Sequence, residues 1–251
     1  MSESTVGIVV LAPELLGTYG DWGNAVVLSK RLEWRGIDNE ILPVRGGAAI
    51  PDSGDLYLLG GGEDGPQLLA CDEIRRDGGL HRAAERGAVV FGACAGLQLM
   101  GTEFHGPDGP VPGLGLLDCR TVPGSPRAIG EVLTQSHASL GVGLLTGFEN
   151  HGGRTSLGPD AVPVGSVLSG IGNSEETMTE GAWNGRVLGT YLHGPVLARN
   201  PRLADLLLTW AMGGLPALQV TEAEVLHDER VGTALASTQR QSSRLTTLLR
   251  R

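Results

Sequence analysis

The stretch Val89-Val90-Phe91-Gly92-Ala93-Cys94-Ala95-Gly96-Leu97-Gln98-Leu99-Met100 decides the fold. The run Ala88-Val89-Val90-Phe91 is apolar, uncharged and rich in β-branched residues, as expected of a strand buried on both faces. It leads into Gly-x-Cys-x-Gly and then into a helix-like segment. That is the layout of a nucleophile elbow, where the reactive residue sits on a sharp strand-to-helix turn and flanking glycines let the backbone bend. The turn exposes the Cys94 sulfur at the carboxyl edge of the sheet, where open α/β folds bind their ligands. It also sets Cys94 at a helix N-terminus, whose partial positive charge favours thiolate over thiol. The Ala95 N–H then points at the oxygen of an attacked carbonyl. Free cysteines are most often small buried hydrophobes. Cys71 and Cys119 lack the glycines and the strand-to-helix setting, and read as packing residues.

Outward from the elbow the pattern is regular. Val6-Gly7-Ile8-Val9-Val10-Leu11-Ala12 is another buried strand. A turn-rich loop, Gly17-Thr18-Tyr19-Gly20-Asp21-Trp22-Gly23-Asn24, ends on a helix cap. Ala25, Leu28 and Leu32 follow at helical spacing, with Gly36 in the C′ position. Residues 39–44 and 55–59 are strand-like, the second running into Gly60-Gly61-Gly62, and residues 79–86 form a helix with a charged face, closed by Gly87. Strands alternating with helices predict a βαβ-built, mostly parallel sheet. Beyond residue 105, short runs at 130–135, 144–148, 165–168 and 186–191 lie between Gly/Pro-rich turns and predict antiparallel additions. Residues 201–212 return to helix. From Leu226 onward the chain reads as a peripheral helix or a partly ordered tail.

Composition narrows the partners. A chain of 251 residues and 26.1 kDa fits one globular domain. Glycine contributes 40 residues, more than twice its ordinary share of about 7%, without a three-residue period. The net charge is −9, Lys30 is the only lysine, and no basic cluster is present to meet a phosphate backbone. The apolar runs are far shorter than the roughly 20 residues that cross a bilayer, and the N-terminus lacks the pattern of a secretory signal. A cytoplasmic protein is expected. Three cysteines without CxxC spacing suggest neither a disulfide framework nor a zinc site.

A cysteine nucleophile needs a base within hydrogen-bond reach. Of six histidines, His193 follows the strand-like Val187-Leu188-Gly189-Thr190-Tyr191-Leu192 and precedes Gly194-Pro195. A parallel strand would deliver it to the same sheet edge as Cys94. His151 lies in Gly147-Phe148-Glu149-Asn150-His151-Gly152-Gly153-Arg154-Thr155, read as a polar, ligand-holding loop, and His81 as a solvated side chain on a charged helix face. Gly60-Gly61-Gly62 after a buried strand is either a plain turn or a set of backbone N–H donors for a developing oxyanion.

Together these residues resemble the class I glutamine amidotransferases. Within them the chain is similar to the cobyric-acid-synthase-like branch, where the histidine is followed by Gly-Pro rather than the Pro-Glu of a Cys-His-Glu triad. Tyr19-Gly20-Asp21-Trp22-Gly23-Asn24, Gly60-Gly61-Gly62-Glu63-Asp64 with Gln67, and residues 147–155 resemble the glutaminase subunits of lipid II isoglutaminyl synthases. The likeness covers residues 5–212 as one amidotransferase domain, leaving residues 213–251 as the C-terminal helix or tail. It implies a flavodoxin-like α/β fold, with a central, mostly parallel sheet flanked by helices and antiparallel additions.

The resemblance also implies a chemistry. Cys94 attacks the side-chain amide carbon of L-glutamine, and His193 takes the thiol proton and protonates the leaving ammonia. Water then hydrolyses the thioester. The backbone N–H groups of Gly61 and Ala95 hold the oxyanion. Arg127 grips the glutamine carboxylate with its planar fork, and Gln67, Asn150 and His151 complete the pocket. No metal and no cofactor is expected in this chain. ATP and Mg are expected on a Mur-ligase-like synthetase subunit, the heterodimeric partner that activates D-glutamate of lipid II and receives the ammonia. The membrane is reached only indirectly, through lipid II. Because Gly194-Pro195 supplies no acid, His193 either works in a dyad with Cys94 or borrows a carboxylate from the partner. The rival readings are an amidotransferase of corrinoid synthesis, a flavodoxin-like cysteine hydrolase or peptidase, and a non-catalytic scaffold. The first needs a synthetase domain for which this length leaves no room. The second has no use for Arg127, and the third none for Cys94 with His193.

Overall fold

Hydrophobic strands too short to stand alone come together as neighbours in one sheet. A computed structural model describes residues 5–18, 20–219 and 222–248, with side chains as far as Ala236. Tyr19 and the extreme ends of the chain lie outside the described residues. In chain order the first half holds β1 (Val6–Leu11), α1 (Trp22–Glu33), β2 (Asn39–Val44), β3 (Leu56–Leu59), α2 (Asp64–Asp77), α3 (Gly79–Glu85), β4 (Val89–Ala93) and α4 (Ala95–Met100). Then follow β5 (Glu103–Gly106), β6 (Gly109–Pro112), β7 (Cys119–Ser136), β8 (Leu144–Leu157), β9 (Gly165–Ser169), β10 (Thr179–Glu180), β11 (Ala182–Asn184) and β12 (Val187–Thr190). The chain closes with α5 (Val196–Arg199), α6 (Pro201–Met212) and α7 (Glu222–Leu248).

The first sheet runs β11-β12-β4-β3-β1-β2, and every neighbouring pair is parallel except β11 with β12. Every residue of β1, β3 and β4 is buried, because helices cover both faces, which is why these strands read as unbroken apolar runs. Alternate side chains serve opposite layers. Ile8, Val10, Leu56, Leu58, Val89 and Phe91 pack with Ala25, Leu28 and Leu32 of α1 and Leu203 and Leu207 of α6. Val9, Leu11, Tyr57, Leu59 and Val90 pack with Ala70 and Ile74 of α2, Leu80 of α3 and Leu97 of α4. The doubly wound α/β architecture expected from the sequence is present.

The second sheet runs β10-β9-β7-β5-β6, with β8 paired to β7, and is antiparallel apart from the β5–β7 contact. Three sequence expectations change here. Residues 147–155 are not a loop: they lie within β8, because β7 offers a partner for the whole stretch, from Gln135 opposite Leu144 to Cys119 opposite Leu157. The run at 186–191 is not an antiparallel addition. Its core, β12, joins the first sheet parallel to β4. Helix α2 was not foreseen, since Asp64-Gly65-Pro66 looks like a turn. Pro66 stands in the first helical turn, where its missing N–H costs nothing. Beyond residue 212, α7 packs back on the body: Glu224 lies 3.4 Å from Arg31 Nη2, and the His227 Nδ1 contacts the Arg199 carbonyl at 2.8 Å.

The elbow glycines answer to close contact. A Cβ at Gly96 would stand 2.6 Å from the Leu59 carbonyl oxygen, and one at Gly92 would stand 2.7 Å from the Gly96 backbone. Gly96→Ala is therefore expected to destabilise the chain by about 1–3 kcal/mol, read as a lower urea midpoint with unchanged m-value. Gly65→Ala, with nothing within 4 Å of the new methyl, is expected to shift stability by less than about 1 kcal/mol.

Candidate active site

Strand β4 stops at Ala93, and the next residue bends. Cys94 has φ 51° and ψ −102°, a conformation that a side chain rarely adopts. Its N–H donates to the Thr190 carbonyl at 2.7 Å, and its own carbonyl accepts the Gln98 N–H at 3.1 Å, opening α4. The elbow is thus held on both sides, and such strain persists only where the surroundings over-determine it. Cys94 is buried but lines a polar cleft.

Strand β12 lies beside β4, with Thr190 opposite Ala93, so the three residues after it carry His193 to the elbow. Two further contacts fix that segment. The His193 N–H donates to the Phe148 carbonyl at 2.9 Å and the Phe148 N–H donates back at 3.3 Å, joining β8 to the end of the first sheet. The buried Glu180 carboxylate accepts the Tyr191 N–H at 2.6 Å and the Thr190 hydroxyl at 2.9 Å, and burial lifts its value to about 7.

Asp21 is the residue that sequence reasoning missed. It stands in the N-cap position of α1, yet its side chain caps nothing. Its Oδ2 accepts the Gly61 N–H at 2.6 Å and lies 3.5 Å from His193 Nδ1. Both side chains are almost wholly buried, at 2% and 1% exposure. Burial opposes a charge on His193, but the nearness and charge of Asp21 and Cys94 outweigh it and raise the imidazole to about 10. The signal was in Gly20-Asp21-Trp22-Gly23-Asn24, but an aspartate before a helix reads as an ordinary cap. Asn24, read as the cap, lies inside α1, where its Oδ1 accepts the Leu197 N–H at 3.0 Å.

The structure brings Gln67, Cys94, Arg127, Asn150 and His151 to one cleft, along with Gly62, Gln98 and Thr121. Arg127 sits in the irregularity of β7 between Pro123 and Ala128, opposite the Asn150–His151 segment of β8. Its Nε donates to Asn150 Oδ1 at 2.6 Å and its Nη2 to the Asn150 carbonyl at 3.1 Å, so β8 aims the guanidinium. Gln67 donates to Gln98 Oε1 at 2.9 Å, Gln98 donates to the Tyr191 hydroxyl at 3.3 Å, and that hydroxyl meets Thr155 Oγ1 at 2.7 Å. This chain of hydrogen bonds stiffens the floor of the cleft.

Two candidates behave differently from expectation. His151 stands at the cleft wall, but its ring stacks on Tyr191 at 3.7 Å. Its Nδ1 bonds the Gly153 carbonyl at 3.0 Å and its Nε2 faces Glu149 at 3.6 Å. It braces the wall with both nitrogens turned to protein. The Gly61 N–H is engaged by Asp21 rather than turned into the cleft, and it is Gly62 that lines the cleft beside Cys94. Ala95 is the first residue of α4, directly after the elbow cysteine. His81 is not simply solvated: its Nε2 meets the Leu114 carbonyl at 2.7 Å. Burial pushes the Cys71 thiol up and Cys119 to about 12, so both belong to the core. Among the described residues no group of three His, Cys, Asp or Glu side chains is arranged to hold a metal ion, and no helix is long and apolar enough to cross a membrane.

An imidazole raised from 6.5 to about 10 stabilises the folded state fully below pH 6.5, and this contribution is lost as pH rises through about 10. The stability difference between the wild-type chain and His193→Gln, from urea melts, is expected to be largest below pH 6.5 and to shrink towards pH 10. A difference that stays flat across that window contradicts the buried ion pair.

Comparison with known proteins agrees with the geometry. Residues 7–201 match the family described as the CobB/CobQ-like glutamine amidotransferase domain. The lipid II isoglutaminyl synthase (glutamine-hydrolyzing) subunit GatD of Staphylococcus aureus (strain N315) is 37% identical over 196 residues, covering 77% of this chain and 79% of the relative. The subunit of the same name from Streptococcus pneumoniae (strain ATCC BAA-255 / R6) is 33% identical over 211 residues, covering 82% of this chain and 80% of the relative. A crystal structure of a glutamine amidotransferase superposes with a TM-score of 0.57 at 21% identity, covering 81% of this chain and 98% of that one, a likeness of fold. With an elbow cysteine, a strand-end histidine and a family match over most of its length, the chain belongs to the CobB/CobQ-like glutamine amidotransferases and is an enzyme of that class.

Proposed function

We propose that this chain is the glutaminase subunit of a lipid II isoglutaminyl synthase. It hydrolyses L-glutamine to glutamate and ammonia, and a Mur-ligase-like synthetase subunit uses the ammonia to amidate D-glutamate of lipid II. The observation that carries the reading is the similarity to two subunits of that name over 77% and 82% of this chain, together with Cys94 and Arg127 on one cleft.

In this reading glutamine lies with its carboxylate on Arg127 and its side-chain amide over Cys94. The Cys94 sulfur bonds to the amide carbon while His193 holds the thiol proton, and the C–O π electrons move to the oxygen, which the Ala95 N–H stabilises. The tetrahedral species collapses, the C–N bond breaks, and nitrogen leaves as ammonia with the proton from His193. Water then attacks the thioester with His193 as base, releasing glutamate and restoring the thiol. The cycle needs no cofactor in this chain. ATP and Mg serve on the partner, where the acceptor carboxylate must be activated before ammonia can add, and the chain meets the membrane only through lipid II.

Purified chain, alone and with the synthetase subunit, tests the reading by glutamate release from L-glutamine. Cys94→Ala is expected to lower release at least about 1,000-fold. Arg127→Ala is expected to raise KM about tenfold or more with a smaller effect on kcat, the signature of a lost ground-state contact. Undiminished release from Cys94→Ala, or failure of the active pair to amidate lipid II with ATP, would overturn the proposal.

A further inference from the structure

The Pro-Glu that would follow the histidine in a Cys-His-Glu triad is Gly194-Pro195 here, so any carboxylate that orients the base comes from elsewhere. We propose that Asp21, at the N-terminal end of α1, is that positioning carboxylate, supplied within this chain. The inference rests on the glutaminase reading above and deepens it.

The side chain has abandoned its ordinary task. An N-cap aspartate gains about 0.5–2 kcal/mol by accepting a backbone N–H of the first helical turn, and Asp21 makes no such bond. Its Oδ2 instead leaves the helix, takes the Gly61 N–H at 2.6 Å and faces His193 Nδ1 at 3.5 Å. A carboxylate this deeply buried is tolerated only when paired. Its Oδ1 is buried and makes no hydrogen bond, so accepting capacity remains on the same group. The separation from His193 is long for a hydrogen bond, as is common before a substrate tightens a catalytic site.

The backbone around Asp21 is built for the approach. A Cβ at Gly23 would stand 2.3 Å from Pro195 Cγ, so the start of α1 packs directly on the Gly-Pro pair. A Cβ at Gly60 would come within 2.9 Å of Asp21 Cβ, and one at Gly61 within 2.8 Å of His193 Cε1. Asn24, one turn into the helix, grips the Leu197 N–H at 3.0 Å, just past the histidine loop. Thus Gly23, Gly60, Gly61 and Gly194-Pro195, which look like separate motifs in the sequence, surround one carboxylate–imidazole contact. The proline that displaces an acid after the histidine is part of the surface that admits another.

A proton held on Nδ1 by Asp21 would leave Nε2 to exchange the thiol proton with Cys94 and pass it to ammonia. Asp21 touches neither substrate nor the reacting atoms and acts through the ring. The Gly61 N–H, in turn, aims Asp21.

The test compares the full-length wild-type chain with Asp21→Asn and Asp21→Glu, alone and with the synthetase subunit, by glutamate release across pH. Asp21→Asn is expected to lower kcat on the order of 10–1,000-fold with KM changed less than about threefold, and to move the alkaline limb of kcat/KM to lower pH. Asp21→Glu is expected to recover part of both. In the wild-type chain, proton NMR is expected to show a downfield His193 Nδ1–H signal that His193→Gln removes, a readout that needs no Asp21 variant to fold. Folded Asp21→Asn with wild-type kcat and pH profile overturns the proposal and assigns the carboxylate to the partner. Absence of the Nδ1–H signal also overturns it. Wild-type chain without Cys94-dependent release, alone or paired, defeats instead the glutaminase reading on which the proposal stands.

Discussion

The rest of the site depends on how closely α4 can approach β3. The Gly96 N–H donates to the Gly60 carbonyl at 3.1 Å, and the Leu59 carbonyl lies where a Gly96 side chain would be. That contact turns the chain sharply enough to leave Cys94 at φ 51° with its sulfur in the cleft. It also locks the ends of β3 and β4 together. Parallel pairing of β12 with β4 then brings a third strand end alongside, and Cys94, Gly61 and His193 become neighbours although far apart in sequence.

The second sheet does different work. Its long β7–β8 pair supplies the wall opposite the elbow, with Arg127 and Asn150 side by side and His151 braced between Tyr191 and Glu149. The reciprocal bonds between Phe148 and His193 tie this wall to the first sheet at the strand-end histidine. Arg127 and the Cys94 elbow are therefore borne on separate sheets that meet at His193. A shift of β8 would move the Arg127 partner and the His193 backbone together.

Much of the first sheet could be read without coordinates. Residues 6–12 and the run at 88–91 announce β1 and β4 because a strand covered on both faces is apolar throughout, and the flanking glycines of Gly-x-Cys-x-Gly announce the bend at Cys94. Helix α2 escaped because Pro66 carries the same signal in a turn and in a first helical turn. The segment at 147–155 escaped because glycines that suit a loop also suit a strand whose partner runs the whole length beside it. Whether such a segment pairs is decided by what lies opposite it.

What the sequence determined by itself was local: where strands end, which cysteine is strained and exposed to chemistry, and that a histidine follows a strand end. These are consequences of periodicity and backbone sterics within a dozen residues. Only the tertiary structure decided which acid faces His193, because Asp21 and His193 are brought together by the packing of Gly23 on Pro195 and of Gly61 on the imidazole. A side chain at the head of a helix can cap that helix or reach across to another element. The choice rests on whether the neighbouring backbone leaves room for the reach, which no short stretch of sequence contains.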